Sequence, residues 1–174
     1  MSILNYLPTF KIVEMNRSTG LVAGHVISQF PIGTLATKAV TGTDGFIENG
    51  VIAGLSNDLT VENYDATKHA TPFIVFTEEL NTFMAGLKYF AVPVEDETYV
   101  RGVALYVGDT WTTDNFVGTG AGGAYNDEAF AKVVNGVITL QAAADTNTIF
   151  AVEESTLPAG GKAVRITYIG HPIV

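Results

Sequence analysis

Residues 118–123, Gly118-Thr119-Gly120-Ala121-Gly122-Gly123, match the spacing G-x-G-x-x-G. That spacing cradles a pyrophosphate only where it joins a strand to a helix inside a βαβ unit. Here Ala124-Tyr125-Asn126-Asp127 follows and leads into a hairpin signal, so the stretch reads as a flexible loop and no cofactor is expected. His25, His69 and His171 are far apart and form no H-x-H or H-x-x-x-H pair. Zinc would need them to converge with carboxylates; each reads instead as a satisfied or surface histidine, and no metal is assigned. Glu78-Glu79 and Glu153-Glu154 are paired carboxylates, but neighbours on a strand point to opposite faces and make no dyad. They read as solvated strand ends. The Asp/Asn-rich loops offer oxygens to Ca²⁺, without the D-x-[DN]-x-[DN]-G loop. None of the serines sits in G-x-S-x-G, the hydrolase elbow. Tyr99, Tyr106, Trp111 and Tyr125 lie on or beside one Gly/Thr-rich stretch. They offer either a sugar-stacking platform or ordinary core packing, and the odd separation of Tyr99 and Tyr106 favours the core. No catalytic residue is assigned, and the chain reads as a non-enzyme.

The elements that must position these groups are mainly strands. Asn49-Gly50 lies between apolar runs in Phe46-Ile47-Glu48-Asn49-Gly50-Val51-Ile52, and Asn135-Gly136 lies between them in Lys132-Val133-Val134-Asn135-Gly136-Val137-Ile138. Asn-Gly in that setting is the signal of a two-residue hairpin, because both residues tolerate positive φ. Further strand-like runs are Phe10 to Met15, Leu21 to Phe30, Leu59 to Val61, Phe73 to Phe76, Lys88 to Val94, Thr98 to Val107, Thr148 to Val152 and Lys162 to Ile169. Asn16-Arg17-Ser18-Thr19-Gly20 reads as a turn between the first two. Thr77 to Leu87 carries the helical spacing, with Leu80, Phe83, Met84 and Leu87 at i, i+3, i+4 and i+7. Gly108 to Asn126 reads as a long exposed loop.

The predicted fold is all-β, a small antiparallel β-barrel or sandwich with an extended N-terminal arm and at most one or two short helices. Residues 1–44 are assigned to the arm and first strands, and 45–174 to the β domain. The two Asn-Gly stretches, each followed by a strand ending in a Glu pair, mark 45–94 and 129–169 as a candidate internal repeat. Any two hairpins with good turns share that look.

The balance of residue types narrows the partners. Hydrophobic residues make up 47% of the chain and charged residues 16%, the reverse of what disorder requires. So few charges favour burying part of the surface against partners, hence an oligomer. The formal charge is −9, and the nine basic residues are scattered, whereas nucleic-acid binding needs them clustered. No nucleic-acid partner is expected. With no cysteine, disulfides and thiolate chemistry are excluded. No basic stretch precedes an apolar core of a leader, and no apolar run reaches the roughly 18 residues of a membrane span; neither a secretory signal nor a membrane partner is expected.

At residues 99–115, Tyr99-Val100-Arg101-Gly102-Val103-Ala104-Leu105-Tyr106-Val107-Gly108-Asp109-Thr110-Trp111-Thr112-Thr113-Asp114-Asn115, and again at Phe150 to Ile169, the chain resembles small structural proteins of tailed bacteriophages. The similarity is to capsid decoration (cement) proteins and head-fibre bases, and it is one of texture over most of the chain. It implies a non-enzymatic virion protein on the outer surface of the capsid, binding the major capsid protein and stabilising the shell. In that family an N-terminal arm commonly pairs with capsid strands; Ile3, Leu4, Tyr6, Leu7 and Phe10 would fill that role here. A tail-tube or head–tail connector component and a carbohydrate-binding β module are the alternatives.

Overall fold

The computed structural model describes residues 13–17, 26–31, 33, 46–47, 50–75, 92–93, 99–118, 129–156 and 162–170. The first half contributes β1 (Val13–Arg17), β2 (Val26–Pro31), β3 (Phe46–Ile47), β4 (Ile52–Leu55), β5 (Val61–Asn63), β6 (Phe73–Val75) and β7 (Val92–Pro93). The second contributes β8 (Tyr99–Ala104), β9 (Thr110–Thr113), β10 (Phe116–Val117), β11 (Phe130–Val134), β12 (Val137–Gln141), β13 (Phe150–Thr156) and β14 (Lys162–Tyr168). The fold is all-β, as the apolar runs and turn signals predict. The arm residues Ile3, Leu4, Tyr6, Leu7 and Phe10 and the helical pattern of Thr77 to Leu87 lie outside the described residues.

Seven strands form one sheet in the order β1-β9-β14-β13-β11-β12-β10, and five form a second in the order β2-β8-β6-β4-β5. β3 and β7 pair separately. Both sheets have ends, so the described strands close no barrel, and the arrangement is that of a sandwich. Among the described strands pairing is antiparallel with one exception: β10 runs parallel to β12, Phe116 opposite Ile138 and Val117 opposite Thr139.

One core joins the sheets. Ile52, Ile74 and Val103 of the smaller sheet, with Leu105 just after β8, cluster with Trp111, Ile138, Leu140, Phe150 and Ile166 of the larger. Each such buried side chain stabilises the fold by roughly 1.5–3 kcal/mol relative to exposure. Trp111 meets Phe150 edge-on, with ring centroids 5.4 Å apart at 89°, and Phe150 meets Tyr168 at 5.9 Å, the tilted geometry that ring quadrupoles prefer. β6 lies inside its sheet between β8 and β4, and all of Phe73, Ile74 and Val75 are buried. That explains why a compact apolar run without alternation forms a strand here.

The two Asn-Gly stretches part company. Asn135 (φ 49°) and Gly136 (φ 78°) form the predicted turn, and Val134 faces Val137 across the hairpin. The strands flanking Asn49-Gly50 do not pair with each other. β3 pairs with β7, while β4 pairs with β5 and β6. Gly50 still takes positive φ (89°), and its amide donates to the Val75 carbonyl at 2.9 Å. The turn chemistry sets local φ, while partner choice follows the buried faces. The matched segments consequently differ in pairing. β4 pairs directly with β6, whereas β12 and β13 both pair with β11 and not with each other. The tip of the true hairpin docks on the other sheet, the Ile52 amide donating to the Gly136 carbonyl at 2.8 Å.

Two further expectations are corrected. Gly108 to Asn126 is not one exposed loop. It contains β9, an inner strand between β1 and β14, with Trp111, Thr112 and Thr113 buried, and then β10. Threonine and tryptophan fit a pleated surface well, and the flanking glycines masked that signal. Asn16 and Arg17, read as part of a turn, continue β1, which pairs with β9; β2 pairs with β8 in the other sheet.

Candidate functional site

The β4–β5 hairpin has a five-residue connection closed by its own side chains. The Ser56 amide donates to the Thr60 carbonyl (2.9 Å), and the Thr60 amide donates to Ser56 Oγ (3.1 Å). Leu59 takes φ 60° to complete it. This connection sets the register, which places Gly54 directly opposite Glu62. A Cβ on Gly54 would lie 2.2 Å from His69 Cγ, 2.5 Å from Nδ1 and 2.7 Å from Cβ. The imidazole therefore occupies the space that a side chain at position 54 would fill, next to the Glu62 side chain.

The loop after β5 brings His69 back over the hairpin. Asp65 Oδ1 accepts from the Thr67 amide (2.9 Å) and hydroxyl (2.7 Å), the Asx-turn pattern. These bonds hold the Asp65 carboxyl below the usual carboxylate range. The Asp65 carbonyl accepts from the amides of Lys68 (3.0 Å) and His69 (2.9 Å). The ring then closes the loop, as the Asp65 amide donates to His69 Nδ1 at 2.9 Å. His69 is 5% exposed and lies 6.0 Å from the Tyr64 ring. Burial, helped by electrostatic repulsion from Tyr168 and Asp65, pushes the Tyr64 phenol well above its ordinary value.

A backbone amide can only donate, so Nδ1 must accept, and the proton of the neutral ring is assigned to Nε2. Nε2 lies 4.0 Å from Glu62 Oε2, beyond direct hydrogen-bond distance.

A second loop faces the first. Thr148 Oγ1 accepts from the Asp145 amide (2.7 Å) and from Gln141 Nε2, and the Asn147 amide donates to Asp145 Oδ1 (2.8 Å). Lys132 Nζ reaches Asp145 Oδ2 at 2.7 Å. The lysine contact, with the Asn147 amide, lowers the Asp145 carboxyl to about 2. Between the two loops lies an open cleft of about 640 Å³, walled by Glu62, Lys68 and His69 on one side and Lys132, Asn135 and Asn147 on the other, with Val133 and Ile149 also lining it. The volume is in the range of small-molecule sites.

Of the groups singled out by residue type, His69 alone reaches this cleft. His25, His171, Glu78 and Glu79 lie outside the described residues, as does all of the Gly-rich stretch except Gly118. Glu153 and Glu154 are exposed on β13, and Glu153 faces Arg165 across the ladder with an ion-pair distance of 3.6 Å. Trp111 is fully buried, and its Nε1 has no hydrogen-bond partner among the described residues. It presents no face to a sugar, so the aromatic platform is not built on it. No group of three or more His, Asp and Glu gathers as a metal site among the described residues. Glu62 and Lys132 escaped the sequence reading because only register and cross-sheet packing bring them to the cleft, and Gly54 because only that register sets it beneath His69. Asp65-Ala66-Thr67 and Asp145-Thr146-Asn147 carried a legible Asx-turn signal. No family model, curated protein or solved structure matches this chain.

Proposed function

We propose that the chain is a non-enzymatic structural protein of a tailed-phage virion, seated as an oligomer on the outer surface of the major capsid shell, which it stabilises. The observation that carries the non-enzymatic part is the state of His69. Its Nδ1 lone pair is taken by the Asp65 amide and its Nε2 bears the proton. The neutral ring thus has no basic nitrogen left to take a proton from a substrate. The neighbouring acids Asp65 and Asp145 are likewise engaged in shaping their own loops. What the geometry offers is a rigid β module with shaped surface loops. The low share of charged residues, 16%, supports life within an assembly, and the resemblance in texture to decoration proteins supports the capsid as that assembly. The test is gradient purification of intact particles from the source of the sequence, followed by mass spectrometry. Recovery with DNA-free heads as well as full particles is expected. Absence from intact particles ends the proposal, and recovery with isolated tails alone moves the protein to a tail or connector role.

A further inference from the structure

We infer that the cleft between residues 62–69 and 132–149 is a binding site for a neutral saccharide. The inference is independent of where the protein resides. It rests first on His69 and Glu62. His69 is 5% exposed and lines the cleft. Its Nε2–H and the Glu62 carboxylate stand 4.0 Å apart, a donor and an acceptor too distant to satisfy each other. A single oxygen placed between them accepts from one and donates to the other at ordinary hydrogen-bond lengths. A hydroxyl has that dual character; a carboxylate or phosphate oxygen would instead face Glu62 as like charge.

The rest of the wall fits the same class of ligand. Its charged groups are Glu62 and Asp65 against Lys68 and Lys132, and Asp145 beside the wall takes up the charge of Lys132, so the balance is slightly acidic and an anion is disfavoured. Lys132 is already paired with Asp145 at 2.7 Å, and Lys68 lies 3.8 Å from Asp65. Asn135 and Asn147 bring amides, each a donor and an acceptor, to the opposite wall, and half-buried Val133 supplies apolar surface. A pyranose combines hydroxyls at its edge with an apolar C–H face. The two loops are held by internal hydrogen bonds, so binding would order little that is not already ordered.

The test is an NMR titration of the full ¹⁵N-labelled chain with neutral hexoses, N-acetylhexosamines and their oligosaccharides. Glucuronate and a Ser/Thr-rich peptide are run beside them. Saturable binding of a neutral sugar is expected, with shifts concentrated at residues 62–69, 132–135 and 147–149. Glu62→Ala should weaken it about tenfold or more, the loss of one hydrogen bond to a charged group, while Glu154→Ala on exposed β13 leaves it unchanged. If Glu62→Ala does not fold, Glu62→Gln, which keeps the shape and loses the charge, is read in its place with a smaller loss expected. A flat response to every neutral sugar overturns the inference. So does binding indifferent to Glu62, or a preference for glucuronate or the peptide.

Discussion

Gly54→Ala is the smallest change that tests how the His69 loop is held. The added methyl carbon would sit 2.2 Å from His69 Cγ and 2.7 Å from its Cβ. Because Cβ is among the atoms struck, turning the ring cannot remove the clash, and the loop of residues 65–69 must lift. Overpacking of this kind costs about 1–3 kcal/mol, and losing the bond from the Asp65 amide to Nδ1 adds about 1 kcal/mol. The expected loss is about 2–4 kcal/mol, roughly 4–16 °C in Tm for a domain of this size. Urea titration followed by tryptophan fluorescence measures it, and hydrogen exchange at the Asp65 amide should accelerate. The decisive comparison is the same substitution in a His69→Gly background, where every struck atom is gone. There Gly54→Ala should be neutral or stabilising by up to about 1 kcal/mol, since alanine is the better strand residue. An equal penalty in both backgrounds would refute the claim that the imidazole fills the place of a side chain at position 54.

Other outcomes follow from features already described. Trp111→Ala should destabilise by about 3–5 kcal/mol through the cavity it opens, as a shift in urea midpoint. Gly136→Ala forces alanine to φ 78° and should cost about 1–2 kcal/mol, whereas Asn135→Gly should be nearly neutral by the same titration. Asp145 should titrate at about 2 by carboxyl NMR, its pKa depressed from the ordinary 3.8 chiefly by Lys132. Its contribution to stability is therefore complete above the unfolded value and is lost as pH falls from about 4 towards 2. In Lys132→Met the carboxyl should titrate higher, and an unchanged value would show that the lysine is not the cause.

What could be read from the residues was local. Asn135-Gly136 was legible because a turn's demand for positive φ is met by the two residues themselves. Asn49-Gly50 has the same chemistry, yet β3 and β4 take distant partners, which no local signal specifies. β9 was hidden for a different reason. Thr110-Trp111-Thr112-Thr113 lies among Gly, Asp and Asn, and its burial comes from β1 and β14 on either side. The cleft was least legible of all. His69 was visible only as an isolated histidine, while the glycine that makes room for it and the glutamate beside it are set by the register of β4 on β5.

The place of β14 has a consequence for how the protein is made. It lies between β9 and β13 in the larger sheet and pairs with both, although it is the last described strand to leave the ribosome. Until residues 162–168 emerge, β9 and β13 each present an unpaired edge, and Trp111 and Phe150 lack their cross-strand neighbours Ile166 and Tyr168. A nascent chain stalled before that point would be a half-sheet with open strands, the form most prone to pair with its neighbours on a polysome. Production of the protein should accordingly depend on translation running through to β14 without a pause.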